Sequence, residues 1–222
     1  MARSKPAGDA WSVAAPRLSA DPAPAPVEVV DADEWIGVVA TVDYVGQRAN
    51  GLELSDVAVS GGRWSGVTLQ TLRANDVFFT NCDLSGFVLE DDASLRRVSF
   101  SDCRLSGAVF AGAQLHDVSF TDCALDEGNF RMARLGRVSF DGCSLVAADF
   151  YGAVMEGVRM RRCDLRGVTL SKATLSSVDL RSCALEDVIG ADALRGATID
   201  SAQVLSVARS LAVALGVVVV DD

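Results

Sequence analysis

Large apolar residues recur at nearly every fifth position along most of this chain. From residue 95 onward they are Leu95, Phe100, Leu105, Phe110, Leu115, Phe120, Leu125, Phe130, Leu135, Phe140, Leu145, Phe150, Met155, Met160, Leu165, Leu170, Leu175, Leu180 and Leu185. Two residues before each of them stands a small or β-branched residue. A strand alternates with a period of two and a helix with a period of 3.6, so neither explains this spacing. A backbone made of short straight sides joined by corners explains the period of five, if two residues of every side face inward.

The same region also repeats itself every twenty residues. Cysteine occupies one column, which contains Cys82, one residue out of phase, and then Cys103, Cys123, Cys143, Cys163 and Cys183. Self-similarity at a fixed period is the signature of a repeat architecture, and strands on successive turns stack about 4.8 Å apart. Four sides of five residues complete one turn. The sequence therefore predicts an all-β solenoid, a quadrilateral β-helix of about seven coils that neighbour-to-neighbour stacking stabilises.

The period of five continues upstream of this region, with one interruption. Its upstream members are Leu54, Val59, Trp64, Leu69, Ala74, Phe79, Leu84 and Leu89. The step from Leu89 to Leu95 is six residues rather than five, so one extra residue enters within residues 90–92. We expect a local irregularity at a corner of the coil there.

Several five-residue blocks carry a common motif. Cys82–Gly86 has the sequence CDLSG, Ala148–Gly152 has ADFYG and Cys163–Gly167 has CDLRG. These blocks resemble the pentapeptide-repeat family, whose pattern is roughly Ala-(Asp/Asn)-Leu-x-x, and the resemblance covers about residues 52–192. It implies a right-handed quadrilateral β-helix. The resemblance also connects the chain to members of this family that protect DNA gyrase.

The residues upstream of the repeat divide into two segments. All five prolines lie within the first 26 residues, so residues 1–27 are predicted to form a disordered Pro/Ala-rich tail that is extended and mobile. Residues 28–51 contain Trp35 and several valines. We expect them to form an N-terminal cap of irregular strand or partial turn, because the open end of a solenoid exposes unpaired backbone and apolar side chains. The β-helix itself is predicted to span residues 52–195.

Residues 196–222 are predicted to cap the other end of the solenoid with a helix and a strand. Asp200 or Ser201 can cap the start of the helix, and Gly216 can end it after about Leu215. The run Val217–Val220 then has the composition of a strand.

The predicted C-terminal helix has an apolar stripe at Val204, Ala208, Leu211 and Leu215, which have helical spacing. This stripe either packs on the last coil alone or also pairs with a second copy of the chain. The resemblance supports the second alternative, since several pentapeptide-repeat proteins that act on gyrase dimerise through this end. Both alternatives stay open, with Val204, Leu211 and Leu215 as the candidate homodimer contacts.

Six cysteines in a secreted chain would suggest three disulfides, but here each cysteine holds the small inward position of its block. Parallel side chains on stacked coils keep their Cβ atoms slightly too far apart for a bridge. Free cysteine also packs well as a small apolar residue, so we expect buried, reduced thiols. With no Cys-x-x-Cys motif and one histidine, the sequence predicts neither a metal nor another cofactor.

The one histidine of the chain, His116, is the candidate catalytic residue. It follows the inward Leu115, so it is expected to point outward beside Asp117, with Ser119 and Ser99 as the nearest hydroxyl groups. A flat solenoid side provides no pocket to exclude water or to stabilise an oxyanion. The chain also lacks a G-x-S-x-G motif and a P-loop. We therefore predict that it is not an enzyme.

The composition also bears on where the chain is expected to reside. Half of its residues are hydrophobic, yet no run approaches the roughly 18 apolar residues that a membrane span needs. Arg3 and Lys5 are not followed by the apolar segment of a signal peptide. The sequence therefore predicts a cytoplasmic protein that does not enter a membrane.

Two groups of outward residues are candidate partner-binding sites. Clustered exposed apolar residues suggest a binding face, and Met132, Val146, Ala147 and Tyr151 fall on outward positions of adjacent turns. The second group is charged. Asp102 and Asp122 share a column with Arg162, and Arg161 stands in the next column, so this side is acidic towards the N-terminus and basic towards the C-terminus.

The sequence leaves two functions to choose between. We favour a non-catalytic scaffold that binds a protein partner through one flat side. The alternative is a mimic of DNA that modulates gyrase or a related topoisomerase and confers resistance to a drug or toxin. A formal net charge of −10 suits the alternative, because a rod of carboxylates can occupy a site built to neutralise phosphates. The basic block argues against it, and direct binding of nucleic acid is not expected.

Overall fold

Short strands stack in parallel along the chain in the computed structural model, which describes residues 12–26 and 28–220. The strands are β1 (Ala23–Pro24), β2 (Glu34–Ala40), β3 (Arg48–Asn50), β4 (Glu53–Ser60), β5 (Thr68–Gln70), β6 (Arg73–Thr80), β7 (Val88–Glu90), β8 (Ser94–Ser101), β9 (Gln114–Thr121), β10 (Arg134–Asp141), β11 (Val154–Glu156), β12 (Arg159–Arg161), β13 (Thr174–Ser176), β14 (Val178–Asp179) and β15 (Ala197–Thr198). Strands β3, β5 and β7 form a sheet of their own, and the other twelve form a second sheet. The predicted β-solenoid is thus confirmed.

One column of inward residues, with one residue in each coil, gives the number of coils. Backbone pairing links, in succession, Trp35, Leu54, Ala74, Leu95, Leu115, Leu135, Met155 and Leu175. The solenoid therefore has eight coils, one more than the sequence predicts. The additional coil comes from residues 34–50, where β2 pairs with β4 and β3 pairs with β5. The segment that was expected to form a partial turn is the first coil.

The extra residue of the period of five is absorbed at a corner, as the sequence predicts. Strand β7 pairs with β5 at an offset of twenty residues, whereas β8 pairs with β6 at an offset of twenty-one. The corner between β7 and β8 contains Asp91 and Asp92, both in the left-handed region with φ of 49° and 55°. Aspartate tolerates this conformation better than most residues, because its short side chain can form local hydrogen bonds.

The six cysteines form a single file of buried, unpaired thiols, which confirms the interpretation of their spacing. Each sulfur lies near backbone carbonyl groups. The thiol of Cys103, for example, donates to the carbonyl of Ser101 (3.2 Å) and of Phe79 (3.5 Å). The hydrogen bond with the Cys103 thiol, together with burial, raises the pKa of the Cys82 thiol. These thiols act as packing groups.

Stacked phenylalanine rings fill the middle of the core. Adjacent rings within a column lie 4.8–5.0 Å apart and nearly parallel, and rings of different columns meet edge to face. The two columns are Phe79, Phe100, Phe120 and Phe140, and Phe110, Phe130 and Phe150. Both arrangements are favourable for aromatic rings. Each coil is therefore held mainly by the coil before it and the coil after it.

Three aromatic residues close the N-terminal end of the core. Trp35, Tyr44 and Trp64 are almost completely buried, with ring centroids 4.7–6.1 Å apart. The hydroxyl of Tyr44 donates to the carbonyl of Pro26, and burial raises the pKa of this tyrosine. Large rings thus occupy the position where an open coil would expose its core.

Part of the Pro-rich segment is held against this end, which differs from the mobile tail expected for residues 1–27. Ala23 pairs with Val38 and Pro24 with Val39, so β1 adds a short strand beside β2. Proline has no backbone N–H to offer to a further strand. The segment therefore ends the sheet. Residues 1–11 and residue 27 lie outside the described residues.

The C-terminal end is covered by a short 3-10 helix (Ala191–Leu194) and by helix α1 (Gln203–Ala214). The carboxylate of Asp200 accepts hydrogen bonds from the backbone N–H of Ala202 (3.0 Å) and of the first helical residue (3.1 Å). This is the cap that the sequence predicts. Gly216, with φ of 78°, follows the helix at the position expected for its end.

Helix α1 is rotated from the orientation that its apolar stripe predicts. Gln203 and Val207 are its buried residues. The amide nitrogen of Gln203 donates to two carbonyl groups of the last coil, at 2.8 and 2.7 Å. Because these bonds fix the rotation of the helix, Val204 and Leu215 are 51% and 80% exposed, and Leu211 is only partly buried.

The predicted strand at Val217–Val220 is wrong. These residues have no regular secondary structure, and all four valines are exposed. A strand forms only beside another strand edge. The last strand of the sheet, β15, is two residues long and offers almost no edge for pairing.

Candidate partner-binding surface

Outward residues at equivalent positions of successive coils form columns on the surface. One corner column contains Asp102, Asp122, Gly142 and Arg162. All four residues have positive φ, between 51° and 67°, so the corner turns in the same way in each coil. Asp102, Asp122 and Arg162 are exposed, and the structure places these three candidate residues on one line.

Carboxylates accompany the basic residues at the C-terminal end of this side. Arg162 Nε donates to Asp141 Oδ1 at 2.9 Å. Asp179 Oδ2 lies 2.7 Å from a terminal nitrogen of Arg181 and 3.5 Å from one of Arg161. The hydrogen bond from Arg181 lowers the pKa of Asp179 to about 2. The basic block therefore carries its own counter-charges.

A tyrosine lies between two cationic side chains on a different part of the surface. The guanidinium carbon of Arg131 is 4.4 Å from the centroid of the Tyr151 ring, and Lys172 Nζ is 5.1 Å from it. Arg131 is in turn oriented by Asp149, whose Oδ2 lies 2.8 Å from its terminal nitrogen. Cations over an aromatic face attract the ring quadrupole, so this arrangement fixes the ring against the solenoid side.

Met132 extends this group of residues on the preceding coil. Its backbone N–H donates to the carbonyl of Tyr151 at 2.9 Å, and its side chain is 63% exposed. The sulfur of Met132 lies directly over Gly152, so a side chain at position 152 would collide with it. Val146 lies on the side of the coil that precedes the side of Tyr151, and its backbone N–H donates to Asp126 Oδ1 at 3.0 Å. The structure therefore brings Met132 and Tyr151 together and leaves Val146 apart.

We call Met132, Tyr151, Arg131 and Lys172 the Tyr151 cluster. The periodicity of the sequence predicts that Met132 and Tyr151 point outward. The two flanking cations were not predicted. Arg131 stands one coil before Tyr151 in the same column, so the period of twenty could have found it, whereas Lys172 reaches the ring from the neighbouring column through its long side chain.

His116 belongs to an ion-pair cluster on an outer side of the solenoid. Its Nδ1 lies 3.1 Å from Asp117 Oδ2, and the same carboxylate is bound by Arg137 through two hydrogen bonds. The hydrogen bonds from Arg137 hold the pKa of Asp117 below its usual value. The imidazole lies against Gly136. Its neighbours are thus charged groups already engaged with one another.

Two further features concern the described part of the chain, residues 12–26 and 28–220. No group of three or more His, Cys, Asp or Glu residues there is placed to hold a metal ion. None of its helices is both long enough and apolar enough to span a bilayer.

The five-residue repeat, with two inward-facing residues in each block, corresponds to a known sequence family. The model of the family described as pentapeptide repeat region matches residues 52–130 and 93–170, which together cover more than half of the chain. This chain belongs to the pentapeptide-repeat family. The resemblance carried by the CDLSG, ADFYG and CDLRG blocks is therefore confirmed.

Solved structures of other pentapeptide-repeat proteins are similar to this chain. HetL, involved in heterocyst differentiation regulation in the cyanobacterium Nostoc sp. strain PCC 7120, is 18% identical, with 77% of this chain and 91% of HetL covered and a TM-score of 0.30. Full-length QnrB1, a plasmid-mediated fluoroquinolone resistance protein, is 17% identical, with 81% and 99% covered and a TM-score of 0.35. A protein of the Arabidopsis thaliana thylakoid lumen is 24% identical, with 47% and 73% covered and a TM-score of 0.28. No curated protein sequence matches this chain.

The C-terminal end of this pentapeptide-repeat protein contains an apolar cavity that the sequence did not predict. It has a volume of about 350 Å³ and lies between the 3-10 helix and α1. Its lining includes Ala191, Leu194, Ile199, Val207, Leu211 and Leu215. The cavity arises because α1 rests on Gln203 and Val207 near its start and leaves its second half less closely packed.

Proposed function

We propose that this pentapeptide-repeat protein is a non-catalytic scaffold that binds a protein partner through one flat side of its solenoid. The observation that carries this proposal is the Tyr151 cluster. Tyrosine, methionine and arginine are enriched where proteins bind one another. A ring that is already held by Arg131 and Lys172 loses little conformational freedom when a partner covers it.

The charges of the Tyr151 cluster indicate the character of this partner. Arg131 forms an ion pair with Asp149 at 2.8 Å. Lys172 contributes a second cation beside the ring. A partner surface with an apolar centre and acidic residues at its edge would complement both features. We therefore propose a protein partner with such a patch, met in the cytoplasm, where reduced thiols are the norm.

A second candidate function is mimicry of DNA at gyrase or a related topoisomerase, which the net charge of −10 supports. The distribution of the charges favours the scaffold instead. Many carboxylates are paired with arginine, and a paired carboxylate is a poor substitute for a phosphate. These pairs include Asp43–Arg63, Asp76–Arg97, Asp117–Arg137, Asp141–Arg162, Asp149–Arg131, Asp164–Arg166 and Asp179–Arg181.

We further propose that two copies associate through the C-terminal end. The exposed apolar side chains there include Val204, Leu205, Leu215 and Val218. Apolar residues in such a group favour burial against a self-complementary surface. Leu211 and Leu215 line the adjacent cavity, so a side chain of the second copy would find an apolar space beside them.

The scaffold proposal is tested by affinity capture from the source cell with the parent chain and with Tyr151→Glu. Gln114→Glu is the matched control, since Gln114 is exposed on β9, two coils before Tyr151, and the substitution adds the same charge outside the Tyr151 cluster. We expect one or more proteins to be retained by the parent and by the control and to be lost with Tyr151→Glu. The same set of captured proteins with all three chains would contradict the proposal.

The topoisomerase alternative has a separate test. Purified gyrase is assayed for supercoiling with and without a quinolone, in the presence of increasing amounts of the chain. Inhibition of supercoiling, or protection from the quinolone, would favour mimicry over the scaffold. No effect at micromolar protein would exclude gyrase as the target.

A further inference from the structure

A row of charged residues runs along one side of the solenoid at mid-strand. It consists of Asp56, Asp76, Arg97, Asp117 and Arg137, with φ between 48° and 60°. The preceding residues pair with one another from strand to strand, so the five positions lie on successive coils. The left-handed conformation raises each residue out of the flat strand. We call its three carboxylates, those of Asp56, Asp76 and Asp117, the Asp ridge.

The N-terminal segment of the chain lies on this ridge. Residues 12–19, which we call the strap, place one backbone N–H at each of the three carboxylates. The bonds are from Ser19 to Asp56 Oδ1 (2.6 Å), from Arg17 to Asp76 Oδ1 (3.2 Å) and from Ala14 to Asp117 Oδ1 (3.4 Å). The hydroxyl of Ser19 also donates to Asp56. The chain thus crosses several coils in the direction opposite to that in which the solenoid grows.

The spacing of the ridge matches an extended chain. Five residues separate Ser19 from Ala14, a span of about 17 Å when extended. Three coils separate Asp56 from Asp117, a rise of about 14 Å. An extended peptide can therefore present donors to all three carboxylates with only slight bending. The bonds use backbone N–H groups, so the ridge selects an extended conformation more than a particular sequence.

The strap is held lightly. Within residues 12–19 only Val13 and Pro16 are even partly buried. Four hydrogen bonds and two partly buried side chains offset the entropy of ordering eight residues by a small margin at most. The Arg97 and Arg137 side chains keep Asp76 and Asp117 paired whether or not the strap is present. The ridge therefore survives the departure of the strap, and the strap can exchange with a competitor.

We propose that the Asp ridge is a docking site for an extended peptide segment of a protein partner, and that the strap is its built-in occupant. A partner segment gains access by displacing residues 12–19. This surface is distinct from the Tyr151 cluster and goes beyond the scaffold function. A failure of Tyr151→Glu to alter partner capture would leave the docking site untouched.

The test compares three full-length proteins in their binding of a fluorescent peptide with the sequence of residues 12–20. The first is the parent chain. The second carries Arg17→Pro and Ser19→Pro, which remove two of the three backbone donors together with the Ser19 hydroxyl and keep an extended backbone. The third is the matched control with Ala15→Pro and Leu18→Pro, where the N–H groups make no bond to the ridge. We expect the donor-deficient chain to bind the peptide at least about fivefold more tightly than the other two.

The peptide concentration must reach about 5 mM, since a tethered strap competes at an effective concentration in the millimolar range. Equal binding by all three chains, or no binding by the donor-deficient chain, would overturn the proposal. Replacing Asp56 with Ala in the donor-deficient chain should weaken peptide binding again. If that replacement has no effect, the peptide binds elsewhere and the ridge is not the site.

Hydrogen exchange on the parent chain gives a second readout. Unlabelled peptide should accelerate exchange at the amides of Ala14, Arg17 and Ser19, since it displaces the strap. Unchanged exchange at saturating peptide would contradict displacement. A concentration-dependent dimer of the parent that Ser19→Pro abolishes would place the strap on a second copy and overturn the intramolecular arrangement.

Discussion

At the N-terminal end of the β-helix, three buried rings fill the last space of the core and a proline-containing strand covers the edge of the sheet. At the C-terminal end, helix α1 covers the core with Gln203 and Val207, and leaves Val204 and Leu215 exposed. Both ends prevent the core from opening. They differ in the apolar surface that the capping element itself leaves exposed to other molecules.

This difference follows from the chemistry of each cap. Aromatic rings bury large apolar areas without needing a partner, and proline offers no donor to an incoming strand. A helix anchored by the two hydrogen bonds of one glutamine side chain needs only one narrow face for that anchoring. Its remaining apolar residues are free to meet a second surface. The N-terminal end thus closes its own core with large rings, and the C-terminal end is where we propose that two copies associate.

The largest effect is expected midway between the two ends. Phe120→Asp would place a charge between the stacked rings of Phe100 and Phe140, which are 4.8 Å away on either side. The cost of an unpaired buried charge is expected to exceed about 4 kcal/mol, so both ends should lose their structure together. Circular dichroism during heating measures this loss. Ser119→Asp on the same strand is the control, and a cooperative melt of Phe120→Asp near the parent temperature would contradict the inward assignment.

Truncation of the N-terminal rings should cost more than truncation at the other end. Trp64→Ala removes a fully buried ring and should lower the free energy of unfolding by about 3–5 kcal/mol. Val204→Ala, at a half-exposed position of α1, should change it by less than about 0.5 kcal/mol. Urea denaturation of both variants gives the two values. Similar losses would mean that the ends are not as different as proposed.

The C-terminal coils should also be the more sensitive to acid. The Arg181 hydrogen bond lowers the pKa of Asp179 from 3.8 to about 2, so its stabilising contribution is fully present above about pH 4 and is lost as the pH falls towards 2. The loss should be roughly 1–2 kcal/mol after solvent screening. Asp179→Asn should show a smaller loss over this range. Asp43→Asn, in the exposed pair with Arg63 of the N-terminal coils, should follow the parent, and identical acid profiles for all three proteins would refute this role.

The smallest effect concerns the order in which thiols become accessible. Cys183, in the last coil, is 6% exposed, whereas the other five cysteines are 2–3% exposed. Because the C-terminal end lacks an aromatic plug, we expect local opening to begin there. Pulsed alkylation in mild denaturant, followed by mass spectrometry, should label Cys183 first. Earlier labelling of Cys82 would reverse the order of the two ends.

The repeating part of the fold was predictable because each inward position imposes its own residue type. The spacing of Cys103 to Cys183 and of the large apolar residues gives the coils, the inward face and the corner insertion. The first coil was not recognised as one, since Trp35 lies nineteen residues before its partner Leu54 and the period of five is lost there.

The surface was less predictable, for two physical reasons. The rotation of α1 depends on hydrogen bonds from Gln203 to the last coil, and a polar residue gives no signal in an apolar stripe. The strap binds through backbone N–H groups, which every residue except proline possesses. Outward positions such as Met132 and Tyr151 followed from the period, as did the position of Arg131 one coil before Tyr151, but the approach of Lys172 to the ring depended on side-chain reach.

Sedimentation velocity over a range of concentrations tests the contrast between the ends most directly. The chains compared are the parent, Leu215→Glu at the C-terminal end and Ile36→Glu on β2 at the N-terminal end. Both residues are exposed and apolar, Leu215 at 80% and Ile36 at 61%. The account predicts that the parent and Ile36→Glu form a dimer and that Leu215→Glu is a monomer. A parent that stays monomeric at every concentration, or a dimer that Ile36→Glu dissociates and Leu215→Glu does not, would contradict it.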